Sequence, residues 1–242
     1  MEEEITIELH RSLVSGPAVV VLVMMDSKKP LVLVFLCKNI RNKVIQNLNP
    51  EDLVKTIEVI KIFNSGMVFI DAKTFHNLTS LRTLNLAKNA LTAFPDISKN
   101  AALEEIDFYG NKIQMFVSNF SVILPKALKK IILIDNAIDW IPNEWFDLPN
   151  LEYIALSMNN LKKFPGASFI NCKSLRFLSV DQNEIESITQ PNMRPFFGNN
   201  SQLVHLNASN NKISAISTGA FSNLIHLQVL ELHVNNLENY CC

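Results

Sequence analysis

Three side chains in this sequence invite a hydrolytic reading. Asp181, Ser209 and His233 recur at spacings of 28 and 24 residues, and a carboxylate, a hydroxyl and an imidazole are the parts of a nucleophilic triad. Their order defeats that chemistry, because a triad needs histidine between nucleophile and carboxylate, and here serine would hold the middle place. His205 and His233 lack the spacing of a metal-ligand pair. Cys37, Cys172, Cys241 and Cys242 have no zinc-like spacing either, and Cys172 reads as a buried thiol. With 6 glycines in the chain, a phosphate-cradling loop is not expected. The expectation is therefore a protein without catalytic residues, metal ligands or cofactor-binding residues, in which the three-residue column is a row of solvated surface groups.

The spacing that generates this column has a different origin. Leu203, Leu206, Ala208, Asn211 and Ile213 recur as Leu227, Leu230, Leu232, Asn235 and Leu237, the pattern Leu-x-x-Leu-x-Leu-x-x-Asn-x-Leu. The same frame runs from Leu81 to Leu91, Leu103 to Ile113, Leu128 to Ile138, Leu151 to Leu161 and Leu175 to Ile185. Its ninth place is held by Asn89, Asn111, Asn136, Asn159, Asn183, Asn211 and Asn235, at spacings of 22, 25, 23, 24, 28 and 24 residues. Ile57, Ile60, Ile62 and Met67 add an eighth, degenerate copy in which Ser65 replaces asparagine. The 242 residues would suit one or two ordinary domains, but an internal period points to a single elongated unit.

The residue types follow from the geometry of such a repeat. Along an extended segment alternate side chains face opposite ways, so the fourth and sixth positions face a core while the third, fifth and seventh face outward. One repeat cannot bury its apolar side alone, and stacking sets the strands side by side in a parallel sheet. The asparagine turns inward where the chain leaves the strand; a buried amide without partners costs about 1–3 kcal/mol. Between strands, Phe75-x-x-Leu78-x-x-Leu81, Phe146-x-Leu148-x-x-Leu151 and Phe221-x-x-Leu224-x-x-Leu227 have near-helical spacing, with Phe169 in the same place before Leu175. Pro95, Pro142 and Pro165 fall after strands, while Pro191, Pro195 and Gly198 mark a loop inserted in the longest spacing.

From about Ile57 onward the chain resembles the leucine-rich repeat superfamily, and its roughly 24-residue units with Phe-x-x-Leu endings resemble the extracellular "typical" subclass. The resemblance implies an α/β leucine-rich repeat solenoid, with a curved parallel β-sheet on the concave face and short helical or irregular convex segments. It implies asparagine amides that bond backbone groups of adjacent turns. It also implies a non-catalytic module that binds a protein on its concave face, in extracellular recognition or adhesion; a cytoplasmic scaffold of the same fold is the alternative. No cysteine-rich cap precedes the first repeat, and Cys241 and Cys242 stand where a closing cap would begin, as expected of a chain truncated at its C-terminus.

The concave face is where function is expected. Its outward columns bring together Tyr109, Lys130, Ile132, Ile134, Tyr153 and Phe177 on strands about 4.8 Å apart, an apolar and aromatic patch of the kind enriched in binding hot spots. The partner expected there is a protein. A net charge of −1 and a pI near 6.5 give no electrostatic reason to expect nucleic acid or an anionic membrane. Asn77, Asn119, Asn199 and Asn207 open glycosylation sequons, but 28 asparagines and 26 serines plus threonines give about three by chance, so four do not establish secretion. Residues 1–46 form a separate segment and residues 47–242 the repeat domain. Two apolar runs in the segment, Ser12 to Met25 and Leu31 to Cys37, are each too short to span a bilayer. They read either as a signal peptide or as capping strands around a turn at Ser27 to Pro30, with Leu31, Val34, Leu36 and Asn39 falling in the repeat frame.

Overall fold

The computed structural model describes residues 20–23, 31–35, 57–71, 73–114, 123–141, 146–189 and 202–237, the first two segments by their backbone. They belong to two compact units, Met1–Ile113 with Val117–Leu128, and Gln114–Phe116 with Lys129–Cys242.

In the first unit β1 (Val20–Val23) lies antiparallel to β2 (Leu31–Phe35), and β2 runs parallel to β3 (Ile57–Ile62). Two further parallel strands follow, β4 (Thr83–Asn85) and β5 (Glu105–Asp107), with Ile60, Leu84 and Ile106 in register. The repeat frame drawn through Leu31, Val34, Leu36 and Asn39 does not survive this register. A shift between Leu31 and Val32 sets Leu33 opposite Ile60 and Val34 opposite Lys61, one residue away from the drawn frame. Because side chains alternate, a one-residue slip exchanges the two faces of a strand.

The second unit carries β6 (Lys130–Ile132), β7 (Tyr153–Ala155), β8 (Phe177–Ser179), β9 (Ser187–Ile188), β10 (His205–Asn207), β11 (Ala215–Ile216) and β12 (Val229–Glu231). β6, β7, β8, β10 and β12 are parallel neighbours in that order, and β9 pairs with β11 in a two-stranded parallel sheet of its own. The fourth-position residues Ile131, Ile154, Leu178 and Leu206 are fully buried, as are the sixth-position residues Leu133, Leu156, Val180 and Ala208. Behind the strands the connections are turns, with a 3-10 turn at Gly166–Phe169 whose Phe169 ring stacks on Phe146 at 4.9 Å.

The strands after β3, the two-residue β9 and β11 aside, are three residues long, and each is followed by the same turn. The residue before each ladder asparagine, in the eighth place of the frame, has a left-handed backbone: Lys88, Gly110, Asp135, Met158, Gln182, Asn210 and Val234 all have φ between 52 and 65°. This conformation turns the chain three residues past the strand and aims the next side chain inward. It suits Gly110, Asn210 and Asp135 and strains the others, Val234 most, since a β-branched side chain crowds the backbone there.

The asparagines then close the turns in one repeated geometry. Asn159 Nδ2 donates to the carbonyls of Leu133 and Leu156 at 2.9 and 3.0 Å, while its Oδ1 accepts the Ile138 N–H at 3.0 Å. Asn183 bonds Leu156, Val180 and Leu161 in the same way; Asn211 bonds Val180, Ala208 and Ile185; Asn235 bonds Ala208, Leu232 and Ile213. In the first unit Asn89 spans Ile62 and Leu86, and Asn111 spans Leu86 and Phe108. Asn136 donates to Leu133 and Ile134. In the degenerate repeat, the Ser65 hydroxyl turns back to its own Phe63 carbonyl and its N–H donates to Asn89.

Candidate protein-binding face

In the second unit the third position of successive repeats is filled by Lys130, Tyr153, Phe177 and His205, one on each of β6, β7, β8 and β10. In-register parallel pairing places each beside the next, and their side chains form one continuous column. The Lys130 ammonium lies 5.8 Å from the centre of the Tyr153 ring. Tyr153 and Phe177 stack with centroids 4.4 Å apart and planes within 4°. The His205 ring sits 4.9 Å beyond Phe177 at a tilt of 58°, and its Nε2 is 2.7 Å from a carboxylate oxygen of Glu231 on β12. Both faces of each aromatic ring are therefore occupied within the column, and the ring edges face outward. His205 and Glu231 belong to this arrangement although the column reading passed over them; the pattern that shows them is an imidazole in a third place followed, one repeat on, by a carboxylate in the fifth.

Beside the column lies a lower strip of short side chains. Ala155, Ser157 and Ser179 are buried, overshadowed by the taller neighbours that share their strands, so outward-pointing positions are not all open positions. Ile132 and Ile134 are half-buried for the same reason. The Asp181 carboxylate closes the strip. One of its oxygens accepts hydrogen bonds from the hydroxyls of Ser157 and Ser179, the latter at 2.5 Å, and the other accepts from the Gln182 amide at 3.2 Å. Burial alone would raise the Asp181 pKa, but the hydroxyls of Ser157 and Ser179, the Gln182 amide and its own backbone N–H outweigh it, and the carboxyl is held below its ordinary range. Tyr153 is pushed the other way, by burial first and then by the negative charge of Asp181.

The remaining candidates fall elsewhere. Tyr109 belongs to the first unit, half-buried, with the Lys88 ammonium 5.7 Å from its ring centre. The Ser209 hydroxyl donates to Asn207 Oδ1 at 2.7 Å, whereas Asp181 is held by Ser157, Ser179 and Gln182, so the three members of the seventh column are not assembled into a relay. Asn207 lies on β10, in the outward fifth position, and also accepts the Ser209 N–H. Asn77 and Thr79 of the first sequon are exposed on a turn. Asn119, Asn199, Pro142, Cys37, Cys241, Cys242, the proline-bearing insert and the proposed turn at Ser27 to Pro30 lie outside the described residues. Cys172 is buried, its thiol donating to the Phe146 carbonyl at 3.3 Å and pushed up to about 12 by burial. Among the described residues no helix is long and apolar enough to cross a membrane.

A ladder of parallel strands stapled by inward asparagines, with an outward column of large side chains, defines a class: the chain is a leucine-rich repeat protein. Leucine rich repeat family models match residues 126–185 and 202–224. The chain is similar to "Leucine-rich repeat-containing G-protein coupled receptor 5" of Rattus norvegicus, 30% identical over 182 residues, covering 75% of this chain and 17% of that one. It is also similar to "Lumican" of Mus musculus, 31% identical over 187 residues, covering 75% of this chain and 52% of the relative. The chain thus spans about half the length of lumican and a smaller share of the receptor. Among solved structures, a TLR13–ssRNA13 complex superposes with a TM-score of 0.69 at 24% identity, over 87% of this chain and 29% of that one, a likeness of fold.

Proposed function

We propose that the chain is an extracellular, non-catalytic protein-binding module whose binding surface is the column of Lys130, Tyr153, Phe177 and His205 with the neighbouring Ile132 and Ile134. The observation that carries this reading is the stack itself. Rings already fixed face to face lose little conformational freedom when a partner covers their edges, and ordering flexible side chains is one of the main costs of association. Buried aromatic anchors supply much of the energy of protein interfaces.

A protein partner suits the charges better than a nucleic acid does. The strip presents the carboxylates of Asp181 and Glu231 beside the single ammonium of Lys130, whereas nucleic-acid binding draws its affinity from several cations set against phosphates. The extracellular placement is supported by a relative that its own name calls a receptor, and by the exposed sequon at Asn77. Tyr109 extends the proposed set from the first unit, as a separate contact.

Expression in cultured eukaryotic cells tests the placement: endoglycosidase treatment of the medium should increase the mobility of the secreted chain, and unshifted protein confined to the lysate would favour the cytoplasmic scaffold. For the surface, Tyr153→Ala combined with Phe177→Ala should abolish retention of the partner while the circular dichroism spectrum stays that of the wild type. Undiminished retention by that double variant removes the proposed face.

A further inference from the structure

Among the charged side chains along the second unit's outward strip, Asp181 is the one held by neutral groups alone among the described residues. Glu231 faces His205 at 2.7 Å, and Lys130 lies over the Tyr153 ring. On the flanks, Glu184 pairs with Lys212 at 3.0 Å. The Asp181 carboxylate instead takes its hydrogen bonds from Ser157, Ser179 and Gln182, and no lysine, arginine or histidine among the described residues comes within ion-pair distance of it. These donors hold the group ionised and half out of water, beside two stacked rings whose faces are already taken. A fixed, partly desolvated carboxylate without a counter-ion next to apolar ring edges has a definite complement: a cation on a flexible aliphatic stem. The stem packs against the edges of Tyr153 and Phe177 and the head group reaches Asp181, the division of labour by which long basic side chains bury their methylenes and keep the charge paired.

We infer that the ledge beside the ring column takes an arginine or lysine side chain of the protein partner, with Asp181 as its counter-ion. This rests on the protein-binding reading of the same face and names the chemistry that the partner must carry there. Asp181 Oδ2, bonded only to the amide of an exposed glutamine, is the atom that accepts the incoming head group. The Ser157 and Ser179 hydroxyls, buried and 3.1 Å apart, both turn their protons to the other oxygen and keep it in place.

The test uses the full chain and three acetylated, amidated pentapeptides, Gly-Leu-Xaa-Leu-Gly, in which Xaa is arginine, its neutral isostere citrulline, or glutamate. Binding is read from the NMR signals of the Tyr153 ring and the Ser179 amide. The arginine peptide should shift both signals saturably and bind about tenfold more tightly than the citrulline peptide, the scale of one charge-assisted hydrogen bond, with the glutamate peptide weakest. Asp181→Asn, which keeps an oxygen for the two serine hydroxyls, should erase the difference between arginine and citrulline. Equal affinity of those two peptides for the wild type overturns the inference without needing any variant. So does a preference for arginine that survives in Asp181→Asn, or an arginine peptide that gives no saturable shift. Equal binding of all three peptides that disappears in Tyr153→Ala with Phe177→Ala would remove the cationic anchor and leave the protein-binding face standing.

Discussion

Replacing Asn159 by alanine tests the framework on which the proposed binding face is built. The amide makes three bonds that matter: Nδ2 to the carbonyls of Leu133 and Leu156, and Oδ1 from the Ile138 N–H. The two carbonyls are not left bare by the change, because Leu133 O also accepts from Asn136 and Leu156 O also accepts from Asn183. The Ile138 N–H has no second partner among the hydrogen bonds of this turn, and it is buried. One orphaned buried donor costs about 1–3 kcal/mol, and two weakened carbonyl interactions and a small cavity add to it, so Asn159→Ala should destabilise by about 3 kcal/mol. Asn160→Ala, one residue on and exposed, should cost less than about 0.5 kcal/mol. Urea unfolding followed by circular dichroism measures both, and amide exchange at Ile138 reads the local effect. Equal midpoints for the two variants would refute the claim that the inward amides hold the repeats together. Asn159→Asp sharpens the point: a carboxylate can accept the Ile138 N–H but points its charge at two carbonyl oxygens. Its pKa should therefore be raised in the folded state, so the variant should be less stable than Asn159→Ala at neutral pH and recover as the pH falls through that raised value.

Three further outcomes follow from the same structure. Val234, held at φ 55° with its side chain exposed, carries about 1 kcal/mol of left-handed strain, so Val234→Asn should raise the urea midpoint, and a lowered midpoint would contradict the strain argument. Cys172, buried and pushed up to about 12, should resist iodoacetamide in the native chain at neutral pH and react on unfolding; native-state labelling would show the thiol to be accessible. Asp181 has a depressed folded-state pKa, so its contribution to stability is present above the ordinary aspartate range and lost as acid protonates it. The acid limb of the stability curve below about pH 4 should accordingly be shallower in Asp181→Asn than in the wild type.

Much of the framework was legible because it is periodic. Leucines at the first, fourth and sixth places and asparagine at the ninth serve one purpose in every repeat, and the strands form where that frame puts them. The left-handed eighth place was not legible, because only Gly110, Asp135 and Asn210 favour it, whereas Lys88, Met158, Gln182 and Val234 hold it by the closure of the turn around the next asparagine. The outward columns of the strands could be assigned, but not which members stand open. Ser157 and Ser179 have the outward parity of Tyr153 and Phe177 and are nonetheless covered, since height above the sheet decides exposure once neighbours are in register. The link between His205 and Glu231, 26 residues apart, crosses between columns as well as between repeats, which a reading of one column at a time cannot see. In the first strands, alternation alone left the register free to slip by one residue, and pairing with Ile57–Ile62 fixed it.

On the proposed function a partner touches the outward ring column and not some other apolar surface. The most direct measurement compares the proteins retained from conditioned medium by immobilised wild type, by Tyr153→Ala with Phe177→Ala, and by Ile225→Ser, which alters the most exposed large hydrophobic side chain of the described residues at 79%. Retention that disappears in the double variant and persists in Ile225→Ser, with all three chains showing the same circular dichroism spectrum, is the predicted result. Retention that survives in the double variant and is lost in Ile225→Ser would contradict it.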